Sequence, residues 1–285
     1  MKRQYSRTAE GMALIRAMEQ SVPVPSRIID DPYASRFVQH WYLRLIARFP
    51  LISRAVLAFL DRWAPGGQEF LTIRARLSDD EATAFVRSGG KQIVLLGAGF
   101  ESLTLRLRET LSSVSLFEID HPATQKVKLE SLRDAPLPNV RFIPVDFEDE
   151  DFAERLVEAG FDIRRRSLII WLGVTYYLTP QAVQQTFVAI GSLLSEGSRV
   201  LVDFLQADVA DGSSSNQDAL EKARRVASLG EPWVFGVAPG LIGEFVKHFG
   251  LHLVKLYDAG ELWARYAPER KRPMDYVMIA VCEKN

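Results

Sequence analysis

The chain has 285 residues, enough to bury a substantial core in one large domain or in one domain with a smaller appendage. Its 35 lysines and arginines face 36 aspartates and glutamates, so no overall positive field draws it to nucleic acid or to a membrane; a small molecule or an ordinary protein surface is the expected partner. The single cysteine, Cys282, excludes an internal disulfide and a thiolate metal cluster, and within the apolar run YVMIAVC it reads as a buried strand residue.

The N-terminal stretch MKRQYSRTAEGMALIRAMEQ scatters its charges and has no apolar core of signal-peptide type. Nowhere do about twenty apolar residues run uninterrupted. The expectation is a soluble, cytoplasmic protein. Residues 6–20 place Met12, Leu14, Ile15 and Met18 at roughly helical spacing, and residues 41–63 (WYLRLIARFPLISRAVLAFLDRW) do so more strongly. Pro23, Pro25, Pro32, Pro50 and Pro65 punctuate this region into short helices, and no strand is expected in its first seventy residues.

From residue 91 the pattern alternates strand and helix. Strands are expected at 92–97, 114–120, 140–146, 167–173 and 198–204, with a last pair at 251–258 and 275–282. Helices are expected near 101–110, 122–132, 151–159 and 180–194. Short, almost wholly apolar strands separated by helices argue for a parallel sheet covered on both faces. The last two strands follow one another without a long helix and suit a hairpin, which places an antiparallel strand in an otherwise parallel sheet. The segment DGSSSN (211–216) reads as a loop before a helix at 217–229. Residues 1–90 are therefore taken as a helical lid with a lead-in helix, and residues 91–285 as an α/β core, the two forming one structural unit.

The first strand ends in Gly97-Ala98-Gly99, within IVLLGAGFESLTLRL. In doubly wound sheets ligands sit beyond the carboxyl ends of the strands beside the first one, and glycines there let a ligand approach the backbone. An acid at the end of the next strand takes ribose hydroxyls, and Glu118 and Asp120 both qualify by spacing. NAD and S-adenosylmethionine share these requirements and part at the third glycine of G-x-G-x-x-G, where this chain has Ser102. Glu101 adds a negative charge where a pyrophosphate would lie, which favours the phosphate-free, cationic S-adenosylmethionine. A turn serving only strand–helix packing stays open on these residues alone. At the third strand end, Asp146 offers an acceptor for an exocyclic amine and Phe147 a flat apolar surface. Asp146 as the cap of the next helix is the plainer reading.

The segments LLGAGFESLTLRL, FEIDHPATQKVK, FIPVDFED and IIWLGVTYYLTPQAV, with RTAEGMALIRA and DDPYA upstream, resemble the leucine carboxyl methyltransferase family. The likeness is greatest to its bacterial branch of O-methyltransferases, some of which act on polyketide-type products of secondary metabolism. It spans nearly the whole chain and implies a class I, Rossmann-like methyltransferase fold, with a mostly parallel seven-stranded sheet, an N-terminal helical lid and S-adenosylmethionine as methyl donor. It also implies that Gly97 contacts the methionine portion and that Asp120, in Glu118-Ile119-Asp120-His121-Pro122, holds the ribose. Asp146 and Phe147 then meet the adenine, Arg74 holds the cofactor carboxylate, and Arg16 is a basic residue of the lid. One departure stands out. The family's glutamate at the end of the fourth strand is Leu172 here, which removes a partner for the cofactor ammonium or for a substrate group.

A carboxylate acceptor, ionised at neutral pH, needs no base for methyl transfer, whereas a phenol gains from one. Of His40, His121, His248 and His252, only His121 falls at the carboxyl edge of the sheet, on the cofactor side, so no catalytic base is assigned and a carboxylate or an acidified phenol is favoured. Tyr176 is the candidate to orient a substrate oxygen, in an aromatic group with Trp171 and Tyr177. Lid aromatics Trp41, Tyr42 and Phe49 either line the acceptor pocket or pack the lid. No metal site is expected. The expected acceptor is a small molecule rather than a protein C-terminus; a nicotinamide oxidoreductase or a non-catalytic binding protein are the alternatives.

Overall fold

Among the described residues seven strands form one sheet, with the fully buried segment at residues 92–96 in its interior. The computed structural model describes residues 5–135, 137, 139–147, 152–228 and 230–285. The first residue of the helix expected at 151–159 and the last of that expected at 217–229 therefore lie outside the described residues.

The strands are β1 (Gln92–Leu96), β2 (Ser115–Asp120), β3 (Val140–Pro144), β4 (Ser167–Trp171), β5 (Arg199–Leu205), β6 (Leu251–Tyr257) and β7 (Val277–Lys284), in the order β3-β2-β1-β4-β5-β7-β6. Only β7 runs antiparallel to its neighbours. The strand order reverses between β1 and β4, which opens a crevice at their carboxyl ends. Every residue of β1 is buried, with Ile93 and Leu95 packed into one core layer and Val94 and Leu96 into the other. Side chains alternate across a strand, so an uninterrupted apolar run is what a sheet covered on both faces requires.

Among the described residues four α-helices precede the sheet: α1 (Arg7–Glu19), α2 (Trp41–Arg48), α3 (Pro50–Trp63) and α4 (Gly67–Arg87). Pro50 separates α2 from α3, its missing N–H being harmless at a first helical position. The lead-in helix α4 buries Phe70, Ile73 and Leu77 and packs against α1, α3 and β4, carrying Arg74 to the carboxyl edge of the sheet. Within the α/β body follow α5 (Leu103–Arg106), α6 (Pro122–Ser131), α7 (Phe152–Glu158), α8 (Pro180–Leu193), α9 (Ala207–Asp211), α10 (Gln217–Ser228), α11 (Ile242–Lys247) and α12 (Ala259–Tyr266).

Two expectations need correction. The helix expected at 101–110 contracts to α5, after which residues 107–113 continue as turns. The last two strands do pair antiparallel, but α12 lies in their connection, capped by Asp258, which accepts the Glu261 N–H at 2.8 Å. β7 enters between β5 and β6, so that β6 forms the edge of the sheet. Burial explains this order: Val277 to Cys282 are buried without a break, as an interior strand requires, while β6 leaves Val254 and Lys255 exposed, as an edge strand can.

Candidate cofactor site

A cleft of ≈ 360 Å³ opens where β1, β2, β3 and β4 end, with α1 along its other side. Its size is in the range of small-molecule sites, about 300–1,000 Å³. Gly97 and Gly99 form its floor. The N–H groups of Gly97 and Ala98 donate to the Ile119 carbonyl at 2.9 and 3.0 Å, tying the turn to β2. Gly97 has φ +70°, and a Cβ there would lie 2.4 Å from Val174 Cγ2, so both backbone conformation and space call for glycine.

Asp120 projects from the end of β2 into the cleft, one oxygen accepting the Gly99 N–H and the other the His121 N–H at 2.7 Å. Each carboxylate oxygen has a second lone pair for a ligand hydroxyl. Burial pushes its pKa up, partly offset by the Gly99 N–H and by Lys128. Glu118, the other acid qualified by spacing, lies in the core: Lys128 Nζ is 2.5 Å away and the Thr104 hydroxyl donates to it at 2.9 Å. Beyond β3, Asp146 and Phe147 join the same wall, the Phe147 ring 6.0 Å from that of Phe152. His121 Nδ1 accepts the Ala123 N–H at 3.2 Å and caps α6, while Nε2 faces Asp146 at 3.5 Å. His121 is thus engaged on the wall it shares with Asp120 and Asp146.

Glu101 decides what this turn cannot hold. Its Oε1 accepts the N–H of Ser102 at 2.8 Å and of Leu103 at 3.0 Å, so the donors that would cradle a pyrophosphate are already taken. Arg106 lies 2.7 Å and Arg16 3.6 Å from the carboxylate. Burial raises the pKa of Glu101, but Arg16 and Arg106 outweigh it and hold the carboxyl well below the usual range. Arg16, on the cleft wall, also pairs with the fully buried Asp31 at 2.9 Å and donates to the Phe100 carbonyl at 2.6 Å. Asp31 accepts the Ser102 hydroxyl at 2.5 Å and pairs with Arg106 at 2.9 Å. The side chain in the third-glycine position therefore ties the N-terminal helical region to the turn through Asp31.

Arg74 reaches the cleft from α4 and pairs with Asp203 of β5 at 2.8 Å. Its Nη1 donates to the Tyr176 hydroxyl at 3.2 Å, and its Nη2 lies 3.2 Å from Met12 Sδ. The Gly173 N–H donates to both Asp203 oxygens, at 2.8 and 2.9 Å. Burial pushes the Asp203 pKa up and Arg74 draws it part of the way back. Gly173 leaves room for this arrangement, since a Cβ there would lie 2.9 Å from Arg74 Nη2. Leu172 stands beside it on the cleft wall, so a buried acid on the neighbouring strand, not the end of β4, supplies negative charge here.

Tyr176 sits behind the wall, 4% exposed, its ring against Tyr177 and Trp233 and its hydroxyl on Arg74. Tyr177 lines the cleft in its place, and burial pushes its phenol up to about 12, so it is a donor at neutral pH. Trp171 is buried against Phe187. Trp41, Tyr42 and Phe49 do not line the cleft; Trp41 is largely exposed, and Tyr42 and Phe49 are half-exposed on α2 and at its end, with the Tyr42 ring 5.4 Å from that of His40.

Sequence reasoning missed Asp203, Glu231 and Asp31. Glu231, after α10, closes the cleft opposite the strand ends, taking the Thr8 hydroxyl and, at 3.4 Å, the Ser6 hydroxyl. An acid inside the apolar run RVLVDFL was the available signal for Asp203; Asp31 lies in DDPYA, a segment that carries family likeness without a role, and Glu231 sits in a loop with no comparable mark.

The chain is similar to provisionally named S-adenosyl-L-methionine-dependent methyltransferases. One from Parafrankia sp. (strain EAN1pec) is 30% identical over 230 residues, 79% of this chain and 69% of that protein. One from Mycolicibacterium gilvum (strain PYR-GCK) is 29% identical, covering 78% of this chain and 73% of its own length. The chain spans about half of a Bacillus subtilis (strain 168) relative, 48%, at 31% identity. In fold it is similar to a provisionally assigned methyltransferase from Thermobifida fusca YX, with TM-score 0.58 at 19% identity over 94% of this chain and 97% of that one. An O-methyltransferase family protein from Burkholderia thailandensis gives TM-score 0.52 at 14% identity over 89% and 72%. Residues 9–191 match the leucine carboxyl methyltransferase family, and the chain belongs to it.

Proposed function

We propose that the cleft binds S-adenosylmethionine and that the protein transfers its methyl group to an oxygen, carboxylate or hydroxyl, of a small acceptor. The observation that carries this is the capture of the Ser102 and Leu103 N–H groups by Glu101, which leaves acceptors and an apolar surface at three strand ends and no phosphate cradle. The donor set suits the cofactor: Asp120 for ribose hydroxyls, Asp146 for an amine, Phe147 for a flat ring, and Arg74 and Arg16 as cations on the cleft wall.

Bound S-adenosylmethionine supplies an electrophilic methyl on a sulfonium. The chain's part is to orient and to exclude water: Asp120 is fixed by two backbone N–H groups, and α1 is tied across the opening through Thr8 and Glu231. Tyr177 holds its proton and can donate it to an acceptor oxygen. Among the described residues, the one histidine on the cleft wall is His121, and it is occupied as a cap and beside Asp146. This supports an acceptor that is already ionised, a carboxylate before a hydroxyl.

The test is calorimetric titration with S-adenosylmethionine, S-adenosylhomocysteine and NADH in parallel. Binding of the first two and not the third is expected; no binding at millimolar S-adenosylmethionine overturns the reading. Incubation of methyl-labelled cofactor with small-molecule extracts then separates acceptors, because a methyl ester releases label in mild alkali and a methyl ether keeps it.

A further inference from the structure

Among the described residues sixteen large apolar side chains are exposed, and eight of them lie in residues 41–63. Those elsewhere are scattered singly, which is ordinary for a protein surface. On α2 and α3 they gather: Trp41 is 74% exposed and Leu51 80%, with Leu45, Phe49, Phe59 and Trp63 beside them. No residue of α2 is buried. Ring pairs hold the two ends of the patch, Trp41 against Tyr42 at 6.1 Å and Phe59 against Trp63 at 5.7 Å.

Charge selects the occupant. Residues 41–63 carry four arginines, Arg44, Arg48, Arg54 and Arg62, all exposed, against one acid, Asp61. Asp61 is buried beneath the face and paired with Lys271, so it does not offset them outward. Arg225 lays its guanidinium 4.7 Å from the Trp63 ring centroid and is paired with Glu221, so it packs on the patch without adding to its net charge. Tryptophan and aliphatic side chains flanked by arginines on amphipathic helices match the boundary between anionic head groups and acyl chains. A second copy of the chain would bring the same arginines against one another. Neither helix can span a bilayer: α3 has 14 residues, where about 20 are needed.

We propose that α2 and α3 form a docking surface for an anionic lipid membrane, lying in its interface. The chain-wide balance of 35 basic against 36 acidic residues, which argued against a membrane partner, averages over a face that is cationic.

The experiment is flotation of the full chain with phosphatidylglycerol–phosphatidylcholine vesicles and with phosphatidylcholine alone, with tryptophan emission recorded. Binding to the anionic vesicles with a blue shift is expected, weakening as salt rises. Each arginine near such a surface strengthens association about fivefold, so Arg44→Gln, Arg48→Gln and Arg62→Gln together weaken it about a hundredfold, while the three lysine replacements keep it. Trp41→Ser removes the larger part of the blue shift. The replaced side chains are exposed, and an unchanged melting temperature and S-adenosylmethionine titration show that the variants fold. Absence of vesicle binding overturns the proposal. So does binding that the glutamine variant leaves unchanged, or sedimentation as a dimer that Leu45→Ser and Phe59→Ser disperse without any vesicle binding.

Discussion

Arg74 and Asp203 show how one pair serves both stability and the site. Both are buried, 129 residues apart in sequence, and each is the other's charge partner at 2.8 Å. Removing one charge leaves the other uncompensated, so Asp203→Asn is expected to destabilise the fold by about 3–5 kcal/mol, measured by denaturant titration. Replacing both, Arg74→Met with Asp203→Leu, is expected to restore most of that stability. S-adenosylmethionine affinity, measured on the same double variant, stays low if Arg74 is a cofactor ligand; full recovery would show the pair to be structural only. Gly97, Gly99, Asp146 and Phe147 were legible because residue type and strand end coincide, whereas spacing left Asp120 level with Glu118 until family likeness chose between them; the cleft gathers those four and Asp120 and leaves Glu118 in the core. Arg74 and Arg16 were legible only through family likeness. Asp203 was not, since no local pattern says which distant cation a strand acid meets.

At the scale of elements, α1 covers the cleft with Ala9, Met12 and Arg16, and its first turn is tethered to the loop after α10 by Ser6, Thr8 and Glu231. These ties span the opening and rest on part-buried groups, so their loss acts on closure more than on the fold. Thr8→Ala with Glu231→Gln is expected to raise the S-adenosylhomocysteine dissociation rate several-fold, read by stopped-flow fluorescence, with melting shifted only slightly. An unchanged rate would remove any role in closure. The first five strands, β1 to β5, were readable because a sheet covered on both faces imposes mostly apolar runs, most plainly in β1 and β4, which are buried throughout. The place of β7 was not, because adjacency in a sheet is decided by which strand is buried on both sides, a property of the assembled layers. The helix at 101–110 was overextended because periodicity reports apolar spacing alone; one of its two arginines, Arg106, meets Asp79, Asp31 and Glu101, tertiary partners that no local pattern reveals.

Across the whole molecule, near-neutral net charge conceals strong local order, with acids and arginines clustered between lid and turn and a cationic face on α2 and α3. The first of these gives a pH dependence of definite sign. The pKa of Glu101 is lowered in the fold, so its ionised form stabilises fully above the ordinary glutamate value of about 4.3, and this is lost as pH falls below it. Asp79, Asp120 and Asp203 are raised by burial and act in the opposite sense, their contribution being lost as pH rises. A difference measurement separates them: wild type is expected to exceed Glu101→Gln in stability at neutral pH, with the gap narrowing steadily as pH falls below about 4. A gap independent of pH would count against the assignment. The insertion of β7 between β5 and β6 bears on the order of synthesis. Until residue 284 has left the ribosome, β5 has no neighbour on its outer side and β6 has no place in the sheet. The cofactor wall from β1 to β4 can assemble on the nascent chain, but two open strand edges persist until the last strand arrives, and that interval is when this chain is most exposed to aggregation.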